Sequence, residues 1–143
     1  AELAGAAQDA GALVLVGALR NAAAVASAVL AEQQRRGART SVAVIAAGDA
    51  DAAGWRVAVE DQLGAGAVID ALGSLGLDHT SPEAAAACES FRGLQSAVRH
   101  LLTASASGQT LLDAGARDAV LAAATLDATS AVPVLRDGVF VAA

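Results

Sequence analysis

Two uninterrupted apolar runs, ALVLVG at 12–17 and TSVAVIAAG at 40–48, flank a helical stretch, and this spacing constrains the fold more than any other feature of the chain. A strand with one face in water alternates apolar and polar residues, whereas a continuous run suits a strand covered on both faces, as in a parallel sheet beneath helices. Between the runs, 21–36 sets Val25, Val29, Leu30 and Gln33 at helical spacing. It closes with Arg35, Arg36 and Gly37, cations in the last turn and a glycine where helices stop. Strand, helix and strand in this order and length predict a right-handed parallel unit.

The remaining pattern is consistent with that unit. Residues 2–10 read as the end of a helix, and 57–72 as a helix with Val59, Leu63 and Ile69 on one side. Gly64 and Gly66 in that helix suggest close backbone approach. Ser81, Pro82 and Glu83 open the longest helix, expected to reach about Ala104. Two shorter helices, 105–115 and 116–127, meet at Gly115, and AVPVLRDGVFVAA turns at Asp137-Gly138, a strong hairpin signal. The expectation is a single α/β domain over 1–143: a layered domain with a parallel β-sheet flanked by helices and a C-terminal β-hairpin.

Composition narrows the partners. Hydrophobic residues make up 55% of the chain but aromatics only 2%, so the core is built from small side chains and tight packing. The net charge of -6 argues against a nucleic-acid or anionic-membrane partner, because both require a basic face. No apolar run approaches the roughly 20 residues of a membrane span, and no signal-like segment opens the chain, so a cytoplasmic location is expected. The lone Cys88 reads as a small buried thiol on a helix. All nine cations are arginines, whose planar fork suits carboxylate or phosphate.

Chemistry concentrates at a few positions. Arg20 and Asn21 stand where the first apolar run meets the alanine-rich helix. A cation there opposes the positive end of the helix dipole, at a cost of about 0.3 to 1 kcal/mol unless a negative group lies beside it. Either Arg20 completes an anion site at the helix N-terminus, or it is a surface arginine beside a capping asparagine. Glu60-Asp61, early in the next helix, are either simple complements to its dipole or ligands for Mg²⁺, a hard cation that takes carboxylate oxygens and keeps waters. Asp49, Asp51, Gly54 and Glu60 mimic a calcium loop, but Ala53 stands where a ligand oxygen is required and a strand precedes it. Gly64-Ala65-Gly66 meets Ile69 where a dinucleotide loop needs a third small residue, and His79 and His100 lack a helical zinc-pair partner. Ser105 and Ser107 before Gly108 form a cap-like turn.

The segments VLVGALRNAAAVA, VAVIAAGDADAAGWRVAVEDQLGAGAVIDAL, ASGQTLLDAGARDAVLAAATLD and VPVLRDGVFV, in this order, resemble the 2-phosphosulfolactate phosphatase family of coenzyme M biosynthesis. The resemblance implies a Mg²⁺-dependent phosphomonoester hydrolase acting on a small phosphorylated anionic substrate. It places Arg20 and Asn21 on the family's LRN motif, Glu60 and Asp61 on its ED pair, and Ser107 and Gly108 on its serine-glycine turn. Arg20, Asn21, Glu60 and Asp61 are then the expected catalytic group, with Glu60 and Asp61 holding the metal and Arg20, Ser107 and Gly108 meeting the substrate. The negative group missing beside Arg20 becomes the substrate's phosphate, and Arg56, Arg92 and Arg99 are unranked candidates for a second anion. Relatives extend further at the N-terminus, so the resemblance also implies that 1–143 is the C-terminal part of a longer phosphatase. That part would act as a homo-oligomer or with an N-terminal partner chain; the alternatives are a non-catalytic subunit and a small-anion binding module.

Overall fold

In a computed structural model, residues 2–51 and 54–142 are described. Helix α1 (Glu2–Asp9) precedes the first apolar run, and a 3₁₀ turn (Leu19–Asn21) feeds directly into α2 (Ala22–Arg36). A small hairpin, β1 (Asp49–Asp51) and β2 (Gly54–Arg56), leads to α3 (Val59–Ser74) and α4 (Pro82–Leu94). The short helices α5 (Val98–Ala104), α6 (Ala106–Asp113) and α7 (Arg117–Ala123) follow, and the chain closes with β3 (Pro133–Arg136) and β4 (Val139–Ala142).

Local chemistry sets the helix ends. Gly37 takes a left-handed conformation at φ 60° and returns its N–H to the carbonyls of Gln33 and Gln34, terminating α2. The Ser81 hydroxyl accepts the Ala84 N–H at 3.2 Å and Pro82 occupies the first turn, so α4 begins where the sequence predicts. The long helix expected to reach Ala104 instead breaks at a 3₁₀ turn, Gln95–Ala97, two residues after Gly93, a poor helix former.

Helix α3 is the centre of the molecule. Leu63, Gly64, Gly66, Ala67, Val68, Ile69 and Leu72 are all buried, as befits a helix packed on several sides rather than one. It packs against α2, α4 and α5, and its core partners include Leu19, Val25, Phe91, Val98, Leu102 and Val120. Gly66 permits the α4 crossing: a Cβ there would lie 2.3 Å from the Ala87 carbonyl oxygen and 2.7 Å from the Phe91 Cβ.

The parallel sheet does not form. Both sheets among the described residues are two-stranded and antiparallel, β1 with β2 and β3 with β4. The 12–17 run contributes one antiparallel bridge, Leu15 to Val134, flanked by Val16 N–H to Pro133 O and Leu135 N–H to Val14 O, each 3.0 Å. The 40–48 run enters no ladder and leaves Val42, Val44 and Ile45 exposed. Uniform apolarity reports what a segment could bury, not whether a neighbour stands beside it. Here α2 turns its buried face to α3, and among the described residues no strand pairs with 40–48. The C-terminal hairpin does turn at Asp137 (φ 49°) and Gly138 (φ 78°), the two positive φ values that such a turn demands. The architecture is therefore α/β in content, helix-dominated, with antiparallel ribbons at its edges. No helix among the described residues is long and apolar enough to cross a membrane.

Candidate functional site

The Arg20–Asn21 turn is held from inside the chain. Asn21 is 6% exposed, and its amide is committed to backbone. Nδ2 donates to Val16 O at 3.1 Å and Ala131 O at 2.9 Å, while Oδ1 accepts the Ala18 N–H at 2.8 Å. The Arg20 guanidinium donates through Nη1 to the Ala122 carbonyl near the end of α7, where a cation complements the helix dipole. The negative group that the sequence lacks beside this turn is Asp127. Its Oδ1 accepts the Ala23 N–H at 2.8 Å, at the start of α2, and its own N–H bonds Leu19 O at 3.0 Å. Asp127 holds φ 44°, a conformation aspartate tolerates better than most residues, but its distance along the chain hides the role from sequence. An open hollow of about 390 Å³ lies over this helix start, lined by Ala23, Ala24, Asp127 and Thr129 among others.

Glu60 and Asp61 occupy the first turn of α3, where no side chain caps the backbone and carboxylates complement the dipole. Glu60 Oε2 is buried and has no hydrogen-bond partner among the described residues. Burial pushes the Asp61 carboxyl above its ordinary range; the Gly48 backbone amide opposes this, and the neighbouring charges of Glu60 and Asp49 add to it. A buried carboxylate oxygen left unpaired costs about 1 to 3 kcal/mol or more, so this pair is short of a positive partner. Oxygen-only donors with one orphaned atom fit Mg²⁺, which takes few protein carboxylates and completes its shell with water or phosphate. No group of three or more His, Cys, Asp or Glu residues able to hold a metal occurs among the described residues, so the protein's share would be this pair.

Ser107 and Gly108 lie in the first turn of α6. Ser105 caps that helix, accepting the Gly108 N–H at 3.0 Å, and a Cβ on Gly108 would fall 1.9 Å from Leu102 O. Gly108 is thus required by packing, whereas the Ser107 hydroxyl faces the hairpin and accepts Arg56 Nη2 at 2.8 Å. The same Nη2 donates to Asp49 Oδ2 across the β1–β2 register. Asp49, Arg56, Asp61 and Ser107 therefore form one cluster with Glu60 where hairpin, α3 and α6 meet. The Arg20 turn packs on α3 one helical turn beyond Glu60, the Leu19 nitrogen lying 3.9 Å from where a Gly64 Cβ would be, but the Arg20 side chain runs to α7. Sequence reasoning left Arg56 unranked; the signal for it is the hairpin register that sets it opposite Asp49. Arg92 instead bridges Asp70 and Glu89 on the α3–α4 face. In the calcium-loop stretch, Ala53 lies outside the described residues, and α3 is preceded by a hairpin rather than a helix. A larger hollow, about 470 Å³, lies at the far ends of α2 and α3, lined by Leu30, Gln33, Arg39 and Leu77 among others; no carboxylate lines it, and it is remote from this chemistry.

A model of the protein family described as 2-phosphosulpholactate phosphatase matches residues 2–138, nearly the whole chain. No curated protein matches it.

Proposed function

We propose that this chain, which belongs to the 2-phosphosulpholactate phosphatase family, is a magnesium-dependent hydrolase of a small phosphorylated anion, with Glu60 and Asp61 as its metal-holding pair. Family membership supports the reaction class. The observation that carries the metal assignment is the buried, unpartnered Oε2 of Glu60 beside the Asp61 carboxyl, which burial pushes above its ordinary range.

In the reaction, a water oxygen bonds to phosphorus, the ester P–O bond breaks with its electron pair leaving on the alcohol oxygen, and that oxygen takes up a proton as inorganic phosphate is released. When bound, Mg²⁺ would supply the charge that acidifies the water and offsets the phosphoryl oxygens. Glu60 and Asp61 supply the anionic oxygens that hold it. Arg20 spends one N–H on Ala122 and offers the remainder of its fork to a phosphoryl oxygen. Asn21 fixes the turn that carries Arg20 through its three backbone bonds. By analogy with a lost oxyanion donor, Arg20→Ala should cost about 2.7 to 4 kcal/mol of transition-state stabilisation. The test is release of inorganic phosphate from 2-phosphosulpholactate by the purified chain. Saturable release that EDTA abolishes and Arg20→Ala cuts about a hundredfold or more supports the reading, and absence of release with Mg²⁺ present discards it.

A second reading is favoured by the 40–48 run, whose Val42, Val44 and Ile45 are exposed and whose backbone joins no ladder among the described residues. In it, the chain is one subunit of a phosphatase, and a strand from a second copy or an N-terminal partner chain pairs with this run. Light scattering on the purified chain separates the two: a well-folded monomer with turnover leaves only the first.

A further inference from the structure

The guanidinium of Arg56 is built into the acid cluster in a way that metal binding alone does not require. Through Nη2 it donates to both Asp49 Oδ2 and Ser107 Oγ, tying the hairpin to the start of α6. A serine hydroxyl has one proton and two lone pairs. With a guanidinium donating into one lone pair, the Ser107 proton is turned away from Arg56, and among the described residues it meets no acceptor. Arg56 Nε and Nη1 also have no acceptor among the described residues, although only 31% of the side chain is exposed. A fork and a hydroxyl with unspent, oriented hydrogens are suited to a tetrahedral oxyanion. The surrounding charge decides when one can enter: Arg56 is already paired with Asp49, and the Asp61 carboxyl feels the charges of both Asp49 and Glu60, so the acids outnumber the guanidinium and repel a phosphate.

We propose that Arg56 and Ser107 form the phosphate-receiving edge of this site, Arg56 binding through its unspent N–H groups and fixing the Ser107 hydroxyl as a donor. Phosphate enters only once a divalent cation has neutralised the acid pair. This inference rests on the phosphatase reading above and adds to it Arg56 as a second guanidinium for the phosphoryl group, the orientation of the Ser107 hydroxyl by Arg56, and the order of binding.

Trp55, the only tryptophan, supplies the readout. It precedes Arg56, covers Gly48 so closely that a Cβ there would lie 2.5 Å from the indole, and donates Nε1–H to Ala47 O at 3.2 Å. Its emission should therefore report on the hairpin. The experiment titrates the chain with inorganic phosphate, in Mg²⁺ and in EDTA, following Trp55 fluorescence with calorimetry alongside. Saturable binding is expected in Mg²⁺ and none in EDTA. Arg56→Ala should weaken phosphate binding by about tenfold or more and Ser107→Ala by about three- to tenfold, with Arg56→Lys, which keeps the charge but loses the fork, in between. Circular dichroism checks the fold, and if Arg56→Ala does not fold, Arg56→Lys and Ser107→Ala decide. Wild-type affinity in the Arg56 and Ser107 variants overturns the inference and leaves the phosphatase reading standing. Equal phosphate binding in EDTA overturns the metal-first order, and no binding by the wild type in Mg²⁺ by either method removes both readings.

Discussion

Replacing Asn21 with alanine separates scaffolding from chemistry at the LRN turn. The amide makes three hydrogen bonds that join the end of the first apolar run, the start of α2 and the segment before β3. A net value of about 1 kcal/mol per bond sets the loss near 3 kcal/mol, with the orphaned groups able to raise it. Val16, Ala18 and Ala131 are themselves exposed, so water can reach part of what is left behind. About 2 to 3 kcal/mol is therefore expected, or about 6 to 10 °C in Tm for a chain of this size. Asn21→Asp should be worse than alanine, because it sets a carboxylate oxygen against the carbonyls of Val16 and Ala131 while keeping the acceptor for Ala18. Urea denaturation followed by circular dichroism measures both. Stability of Asn21→Ala within about 0.5 kcal/mol of wild type, the range of an ordinary surface substitution, would refute the scaffold argument.

Other expectations follow from packing and charge. Gly66→Ala drives a methyl into Ala87 O and Phe91 Cβ and should cost about 1 to 3 kcal/mol or more, whereas Gly73→Ala, in the same helix with nothing within 4 Å, should gain about 0.5 to 1. Thermal melts that rank the pair the other way contradict the α3–α4 packing. Glu32 is held down to about 2 by hydrogen bonds from Arg35 and Arg36. Since its folded value is depressed, the pair's contribution is complete above the ordinary glutamate value of 4.5 and fades as pH falls through about 2. A carboxyl NMR titration with a midpoint above 4 would show that the pair does not form.

What was legible in the sequence was local. The Gly37 stop, the Ser81-Pro82 start and the Asp137-Gly138 turn are each decided by residues within one turn of themselves, and each stands where the pattern puts it. The strand readings at 12–17 and 40–48 depended on neighbours that the pattern cannot supply, and the first found an antiparallel partner near Val134 while the second found none among the described residues. The site divides in the same way. In the sequence, Glu60 and Asp61 read either as complements to the helix dipole or as hard-metal ligands, and the orphaned Glu60 oxygen is a fact of burial that residue type does not show. Asp127 reaches the start of α2 across 104 positions, and Arg56 reaches Ser107 across 51, separations at which residue type alone gives no warning.

The most direct test of the acid pair as a metal centre is the Mg²⁺ dependence of phosphate release in wild type, Glu60→Gln and Asp61→Asn, with Mg²⁺ binding measured by calorimetry on the same samples. The account predicts one Mg²⁺ bound by the wild type, and in each variant a loss of binding with activation displaced to higher Mg²⁺ by about tenfold or more, as removal of a charged ligand worth about 1.5 to 3 kcal/mol requires. Hydrolysis with the same Mg²⁺ dependence in all three proteins would contradict it.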